Sequence, residues 1–388
     1  MSEISWHETT ASVLRLRADW DRWLDAWDVG CSFLRWDWIR TWLRVYAKDS
    51  NLLVGVVAEE GVVIGIAPLS IARERTFPGG PVVRCVRMIG DGPLCPDHLL
   101  FPVAAGRGDV FARALVDGLL ARQAEWDRIE IRDLLQEDPV WQAVATALRA
   151  SEVHPVVRTR THCPYIPLPD SFDAYLETLG TKTRKMLRYG LKRLDRELSV
   201  RIIEPTSVDE VDRLVARLED LHGRAWKARG RPGVFEDEAF RLFHRLHARR
   251  AFRSGRLWLT AMSTPDREIA VLLGFVSPRG LHYYQLGHDP EMKAYSVGTM
   301  MVASVIGRAI DRGLPEMDFL RGQGAYKMHL TRHERRGHDL IVHSGSTANR
   351  AANAVHDLRG GVRMVLRKTI GKDRAQRLKR WIGIDEGR

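Results

Sequence analysis

One order of elements occurs twice along these 388 residues, and it limits the fold more than any single motif does. The first occurrence opens with CSFLRWDWIRTWLRVYA, where Phe33, Trp36, Ile39 and Leu43 recur at helical spacing. The strand-like runs LLVGVVAEE and VVIGIAPLSIARE follow, joined near Gly61 as an antiparallel hairpin, and β-rich sequence continues through VVRCVRMIG. Next come an amphipathic helix (DVFARALVDGLLARQ), a strand (DRIEIRDL), a helix (PVWQAVATALRAS) and an extended segment ending at Pro167 and Pro169.

The second occurrence, from about Ser171, has helices in SFDAYLETL, TRKMLRYGLKRLDREL, VDEVDRLVARLEDLHGRAW and DEAFRLFHRLHARRAF. The strands LWLTAMS, IAVLLGFVS and LHYYQLGH precede the helix GTMMVASVIGRAIDRG, which Gly313 suits as a C-cap, and the strand EMDFLRG. A repeated helix, antiparallel-strand, helix, strand, helix order predicts an α+β protein of two domains side by side, residues 1–168 and 169–345. Residues 346–388 carry many basic and few acidic side chains, and read either as a solvated tail or as an amphipathic helix meeting an anionic membrane surface.

Composition narrows the class. A 45% hydrophobic, 28% charged chain with no long uninterrupted apolar run is read as soluble, and its first twenty residues lack the apolar core of a secretory signal, so a cytoplasmic protein is expected. Cys31, Cys85, Cys95 and Cys163 lie far apart, a pattern for reduced thiols rather than zinc or disulfides. His329 with His333, and His244 with His247, offer two imidazoles apiece with no third ligand in view, so no metal is expected. The net charge of +11 suits an anionic partner without saying which.

The stretch DFLRGQGAYK invites a phosphate-loop reading and fails it. Gly322 and Gly324 are one residue apart, Lys327 is followed by Met328, and the sixth position of a G-x-G-x-x-G pattern is Lys327. A better anion site lies upstream, where YSVGTMM enters a helix. Unpaired N–H groups there can face a pyrophosphate, with Gly298 allowing close approach; the alternative is a plain helix start capped by Ser296. In the basic helix, Arg184, Arg188, Lys192 and Arg196 recur every four residues on one face, and Leu187, Leu191, Leu194 and Leu198 line another. Like charges so spaced repel, so the stripe predicts either a bound anion or a solvated face.

YSVGTMM before a helix ending in RG, then MDFLRGQGAYK, with FLRWDWIRTW and YLETLGTKTRKMLRYGLKRL upstream, resembles the GNAT-fold acyltransferases of the cellulose-biosynthesis (CelD/BcsL-like) family from about residue 30 to 345. The layout is similar to that of the Fem peptidyltransferases, which also carry tandem GNAT-like domains. The resemblance implies transfer of an acyl group, acetyl above all, from an acyl-CoA thioester to an amine. It implies that pantetheine lies in a splay between the fourth and fifth strands, Leu281 to Leu286 and Glu316 to Leu320, with Gln285 and Leu286 beside it. The pyrophosphate is then expected at Tyr295, Ser296, Gly298 and Thr299. The usual loop has a second small residue where Met300 stands here, which leaves the donor class open, aminoacyl-tRNA included.

Such transfer needs a base for the amine and a proton source for the leaving thiolate. Asp318, His288 and Asp289 are the candidate bases. Tyr326 is the candidate acid, with Lys327 holding its pKa down or binding an acidic substrate; Asp318 pairing with an arginine and Tyr326 simply packing are the structural alternatives. Arg184, Arg188, Trp226 and Tyr284 are the candidate acceptor-binding residues. The second half is expected to be active and the first structural or acceptor-shaping, because no comparable glycine loop is read there. The acceptor implied is an amine on a cell-envelope or polysaccharide precursor, or on a small molecule. Two further readings are a Fem-like aminoacyl-tRNA transferase, with tRNA phosphates on the basic stripe, and a non-catalytic accessory protein of polysaccharide synthesis.

Overall fold

The computed structural model describes residues 2–47, 50–75, 80–322 and 324–344. The basic segment from residue 346 onward lies outside them. In the first half, β1 (Ser2–His7), α1 (Thr10–Arg15), α2 (Arg17–Ala26) and α3 (Trp36–Val45) lead into β2 (Ser50–Glu59), β3 (Val62–Arg75) and β4 (Val82–Met88). Then come α4 (Gly108–Ala121), β5 (Arg128–Leu135), α5 (Pro139–Ala150) and β6 (Val156–Pro167). The second half has α6 (Phe172–Glu177), α7 (Thr181–Leu198), β7 (Arg201–Ile203), α8 (Val208–Lys227), α9 (Glu238–Arg253), β8 (Leu257–Ser263), β9 (Glu268–Ser277) and β10 (Gly280–His288). It closes with α10 (Val297–Asp311), β11 (Glu316–Asp318), α11 (Ala325–Leu330) and β12 (His333–His343). Among the described residues no helix is long and apolar enough to cross a membrane.

The β2–β3 hairpin turns at Glu60 and Gly61, both at positive φ, as a two-residue turn matched to strand twist requires. α3 buries Trp36, Ile39 and Leu43, as the spacing predicted, and also Trp38, Thr41 and Trp42. Along β9, Ala270 and Leu272 point into one core while Val271, Leu273 and Phe275 point into another, the two-residue alternation of a strand covered on both faces. The larger core joins α3 and α4 of the first half to α8 and α9 of the second. The smaller one holds α6, α7 and α10.

Both halves contribute to a single twelve-stranded sheet in the order β1-β2-β3-β4-β5-β12-β6-β11-β10-β9-β8-β7. β12, the last described strand of the second half, pairs with β5 of the first from Gly337↔Leu135 to His343↔Arg128. β6, the last strand of the first half, pairs with β11 of the second from Glu316↔Pro167 to Asp318↔Tyr165. β6 and β12 also pair with each other, so each half completes the other's sheet. A boundary at 168/169 therefore divides the chain but not the sheet.

Candidate active site

In each half one parallel strand pair separates after two residue pairs. In the second half, β10 and β11 meet only at Leu281↔Met317 and His282↔Asp318, while β10 continues along β9 to His288↔Ala270. A bulge at Tyr284 interrupts that antiparallel ladder. From Tyr283 to His288 the β11-facing edge of β10 pairs with no described strand, so a ligand carrying amide groups can lie along it as an added strand does.

The corresponding gap in the first half is filled. β4 and β5 meet only at Cys85↔Arg128 and Val86↔Ile129, and the connection after β4 folds back into the opening. Leu99 N–H donates to Asp133 O (3.1 Å) and Leu99 O accepts from Leu135 N–H (3.3 Å). Pro102 O accepts from Ile66 N–H (2.8 Å), and Leu99 and Phe101 are buried. The expectation that no glycine loop precedes the first half's helix needs correcting: Gly106, at positive φ, and Gly108 stand at the start of α4. What separates the halves is the plug of chain at Leu99 rather than missing glycines.

α10 begins where the sequence placed a pyrophosphate site. Ser296 is the N-cap, in the left-handed conformation, and its hydroxyl does not cap. Its carbonyl accepts instead from the Thr299 and Met300 N–H groups, which leaves those of Val297 and Gly298 without a described partner. A Cβ on Gly298 would lie 3.0 Å from His288 Cδ2, so this glycine also makes room for the His288 ring. The Arg193 guanidinium lies 4.3 Å from the centre of the Tyr295 ring. Gln285 and Leu286 are half-buried on the free stretch of β10.

Groups distant in sequence converge at the mouth of this gap. The Tyr326 hydroxyl lies 3.3 Å from that of Tyr283. Burial raises the Tyr326 phenol above its ordinary pKa, although its bond to Tyr283 and the charge of Arg229 oppose the rise. Burial, then Arg229, lowers His288 below 6.5 and keeps its imidazole neutral at pH 7. His222, on α8, is pushed down to about 4 by burial, Arg229 and His288, and its buried Nδ1 has no hydrogen-bond partner. Trp226 tilts against His222 with ring centres 5.6 Å apart. Arg229 itself is exposed and forms no ion pair among the described residues.

Sequence reasoning missed Arg229, His222 and Tyr283. Of the stretch from His222 to Gly233, at the end of α8 and just beyond it, only Trp226 is a candidate from sequence, and nothing local ties the rest to His288.

The other expected catalytic groups hold the structure together. Asp318 Oδ2 accepts from His98 Nε2 and Arg335 Nη1 (3.0 Å each), and Oδ1 accepts from Leu320 N–H (2.7 Å). Burial alone would raise its pKa, but the charge and hydrogen bond of His98, with His282 and the Leu320 N–H, outweigh this and hold it at about 2. A carboxylate so engaged is a poor base. Asp289 is buried, accepts from Glu291 N–H and pairs with Arg224 and Arg267 at 3.0 Å. Lys327 Nζ donates to Phe319 O (2.8 Å) and Arg321 O (2.9 Å), fastening the loop after β11. Arg229, not Lys327, is the cation acting on Tyr326, which corrects the earlier expectation.

The acceptor-binding expectations are corrected in part. Arg184 pairs with Glu177, Arg188 with Asp173 and Glu177, and Arg196 with Glu197, so the four-residue stripe is mostly neutralised by the chain's own carboxylates. The Tyr284 hydroxyl donates to Leu94 O (2.6 Å), and its ring packs against Phe33, Trp38, His244 and Phe275. His244 and His247 belong to this buried aromatic cluster. Among the described residues no group of three His, Cys, Asp or Glu side chains is placed to hold a metal.

A strand that parts from its parallel partner after two residue pairs, twice in one chain with exchanged terminal strands, defines a protein of tandem GNAT fold. Residues 181–328 match the family model described as acetyltransferase (GNAT) domain, and this span holds the open gap and most of its mouth. Solved structures bear out the fold over most of the chain. FemX is 12% identical, with 86% of this chain and 96% of that chain covered at a TM-score of 0.58. A conserved protein from Bacteroides thetaiotaomicron is 12% identical, with 87% and 99% covered at 0.54. L-PGS from Bacillus licheniformis is 11% identical, with 88% and 96% covered at 0.52. No curated protein sequence matches this chain.

Proposed function

We propose that the chain is an N-acyltransferase whose second half moves an acyl group, acetyl foremost, from an acyl-CoA to an amine. The observation that carries the reading is the difference between the two gaps: β10 has a free edge beside an open α10 N-terminus, whereas Leu99 and its neighbours occupy the first half's opening. The pantetheine amides lie along Tyr283 to His288. The pyrophosphate takes the N–H groups of Val297 and Gly298 and the charge of Arg229. The first half is a structural partner that fixes the loop after β11.

Neutral His288 accepts a proton as the amine nitrogen forms its bond to the thioester carbonyl carbon. The tetrahedral intermediate then expels the thiolate, which takes the Tyr326 hydroxyl proton, and Tyr326 is reprotonated from solvent. A phenol with a raised pKa is fully protonated at neutral pH and ready to donate. Asp318, Asp289 and Lys327 position the mouth. Trp226 walls the acceptor side.

The acceptor, an amine on a cell-envelope or polysaccharide precursor, is supported by the sequence resemblance alone. Aminoacyl-tRNA as donor loses its main support once Arg184, Arg188 and Arg196 are seen paired to carboxylates. Thermal shift with acyl-CoAs of several chain lengths tests the reading. A stabilising shift is expected for at least one thioester and is lost in Arg229→Glu, an exposed change that leaves the apo melting temperature intact. No shift with any acyl-CoA, or a full shift in the variant, overturns it.

A further inference from the structure

α7 presents a second periodicity on the side facing away from its buried Leu187 and Leu194. Lys182, Lys185, Met186, Tyr189, Lys192, Arg193 and Arg196 follow one another at intervals of three residues, with single steps at Lys185–Met186 and Lys192–Arg193, so they share a single face. Tyr189 is 62% exposed and Met186 40%, the first the most exposed aromatic among the described residues. Lys182, Lys185 and Lys192 are exposed and pair with no described carboxylate, while Arg193 and Arg196 share Glu197. The arginines of the flanking side are tied to α6, as described above, so the free charge of this helix resides in lysines.

We propose that this outward face of α7 docks on a membrane surface containing acidic lipid. Met186 and Tyr189 stand one turn apart between the lysines, and unpaired cations flanking exposed apolar groups on a rigid helix match the boundary between anionic headgroups and acyl chains. Lysine stems reach along that boundary while the ammonium groups stay in the headgroup layer. A nucleic acid fits less well. Methionine contributes nothing to phosphate recognition, a single tyrosine is a meagre stacking platform, and the arginines that would form forked phosphate contacts already hold carboxylates.

The face lies beside the proposed donor site without being part of it: Arg193 Nη1 donates to Ala294 O (3.2 Å) in the turn before α10. Docking would therefore set the gap's mouth close to the lipid surface. Acyl-CoA binding in solution does not depend on it, so this inference and the acyltransferase reading fail separately.

Vesicle co-sedimentation of the full chain, with the basic C-terminal segment present in every variant, tests the proposal. Phosphatidylcholine vesicles are compared with vesicles containing about 30% phosphatidylglycerol. Each lysine is expected to contribute about fivefold to the partition coefficient. Lys182→Ala/Lys185→Ala/Lys192→Ala should then lower partitioning on acidic vesicles by about a hundredfold. Met186→Ser/Tyr189→Ser should lower it severalfold with the salt dependence unchanged, and circular dichroism should show helix content intact in both. Partitioning equal to the parent in either variant overturns the proposal. So does tighter binding of the parent to a single-stranded RNA oligomer than to the acidic vesicles at the same salt.

Discussion

Asp318 of β11 and His98 of the first half meet across the domain junction, with Oδ2 3.0 Å from Nε2 and both side chains buried. Arg335 of β12 closes on the same carboxylate, and three residues beyond β11 Arg321 grips Asp97 and Asp133 of the first half at 2.8 and 2.7 Å. The corner after β11 is thus fixed from the other domain. Removing one partner of such a buried cluster leaves charges uncompensated. Asp318→Asn is expected to cost about 3–5 kcal/mol of stability, read as a lower urea midpoint at unchanged m-value. A midpoint equal to the parent's would remove the network from the account of the fold.

The same pair gives stability a pH signature. Asp318 is held at about 2, below its ordinary value, so its contribution is present above roughly pH 4 and is lost as pH falls toward 2. Burial would lower His98, but Asp318 wins and raises it above 6.5, so its contribution is full below that value and fades as pH rises through the raised pKa. The melting-temperature difference between the parent and His98→Gln should be greatest from about pH 4 to 6.5 and shrink on the alkaline side. A difference that grows with pH contradicts the assignment.

His288 and Tyr326 are expected to divide the proton transfers. His288→Gln should lower kcat/KM by about a hundredfold or more and abolish the acid limb of the pH profile, which falls in the parent as pH drops through a pKa below 6.5. Tyr326→Phe should lower kcat by a comparable factor with little change in acyl-CoA affinity. If both variants keep parent rates, the chemistry is done elsewhere.

Gly298→Ala would place a methyl 3.0 Å from His288 Cδ2. The ring must shift, and kcat should fall with stability nearly unchanged, because alanine suits a helix better than glycine. Measuring kcat and the melting temperature on one preparation separates a displaced base from a damaged fold.

Leu99 fills the first half's gap, and it is 1% exposed. Leu99→Ala is expected to lower stability by about 2–5 kcal/mol while the acyl-CoA shift, referred to the variant's own apo melting temperature, persists. Loss of that shift in a variant that remains folded would mean that the first half takes part in donor binding.

Much of the second half's frame was legible. The strand expected at Leu281 to Leu286 is β10, the helix placed near Gly298 is α10, and the strand begun at Glu316 is β11, because buried alternation, a loop before an apolar helix and a glycine C-cap are local signals. β1, β7 and β12 were not read. β7 is three residues long, and β12 opens with polar residues where it pairs with β6 alone and Glu334 meets His162. Candidate site residues could be placed from sequence only where their position depends on their own element, as for Gly298 in the first turn of α10. Asp318 looked like a base until His98 and Arg335 arrived from elsewhere, and Arg184 looked free until α6 brought Glu177 to it. Arg229 acquires meaning only from the effect of its charge on His222, His288 and Tyr326.

The exchange of β6 and β12 also bears on how the protein is made. During synthesis the first half emerges with an unfilled place beside β5, and the segment that closes it is among the last of the described residues to leave the ribosome. Until then β6 lacks its β12 neighbour, and the facing edges of β5 and β6 stand open to other chains. The pairing of greatest sequence separation, His343 with Arg128, must form before either sheet is whole. Arrest of translation before β12 would thus leave a nascent chain with both halves incomplete rather than one finished domain and one missing.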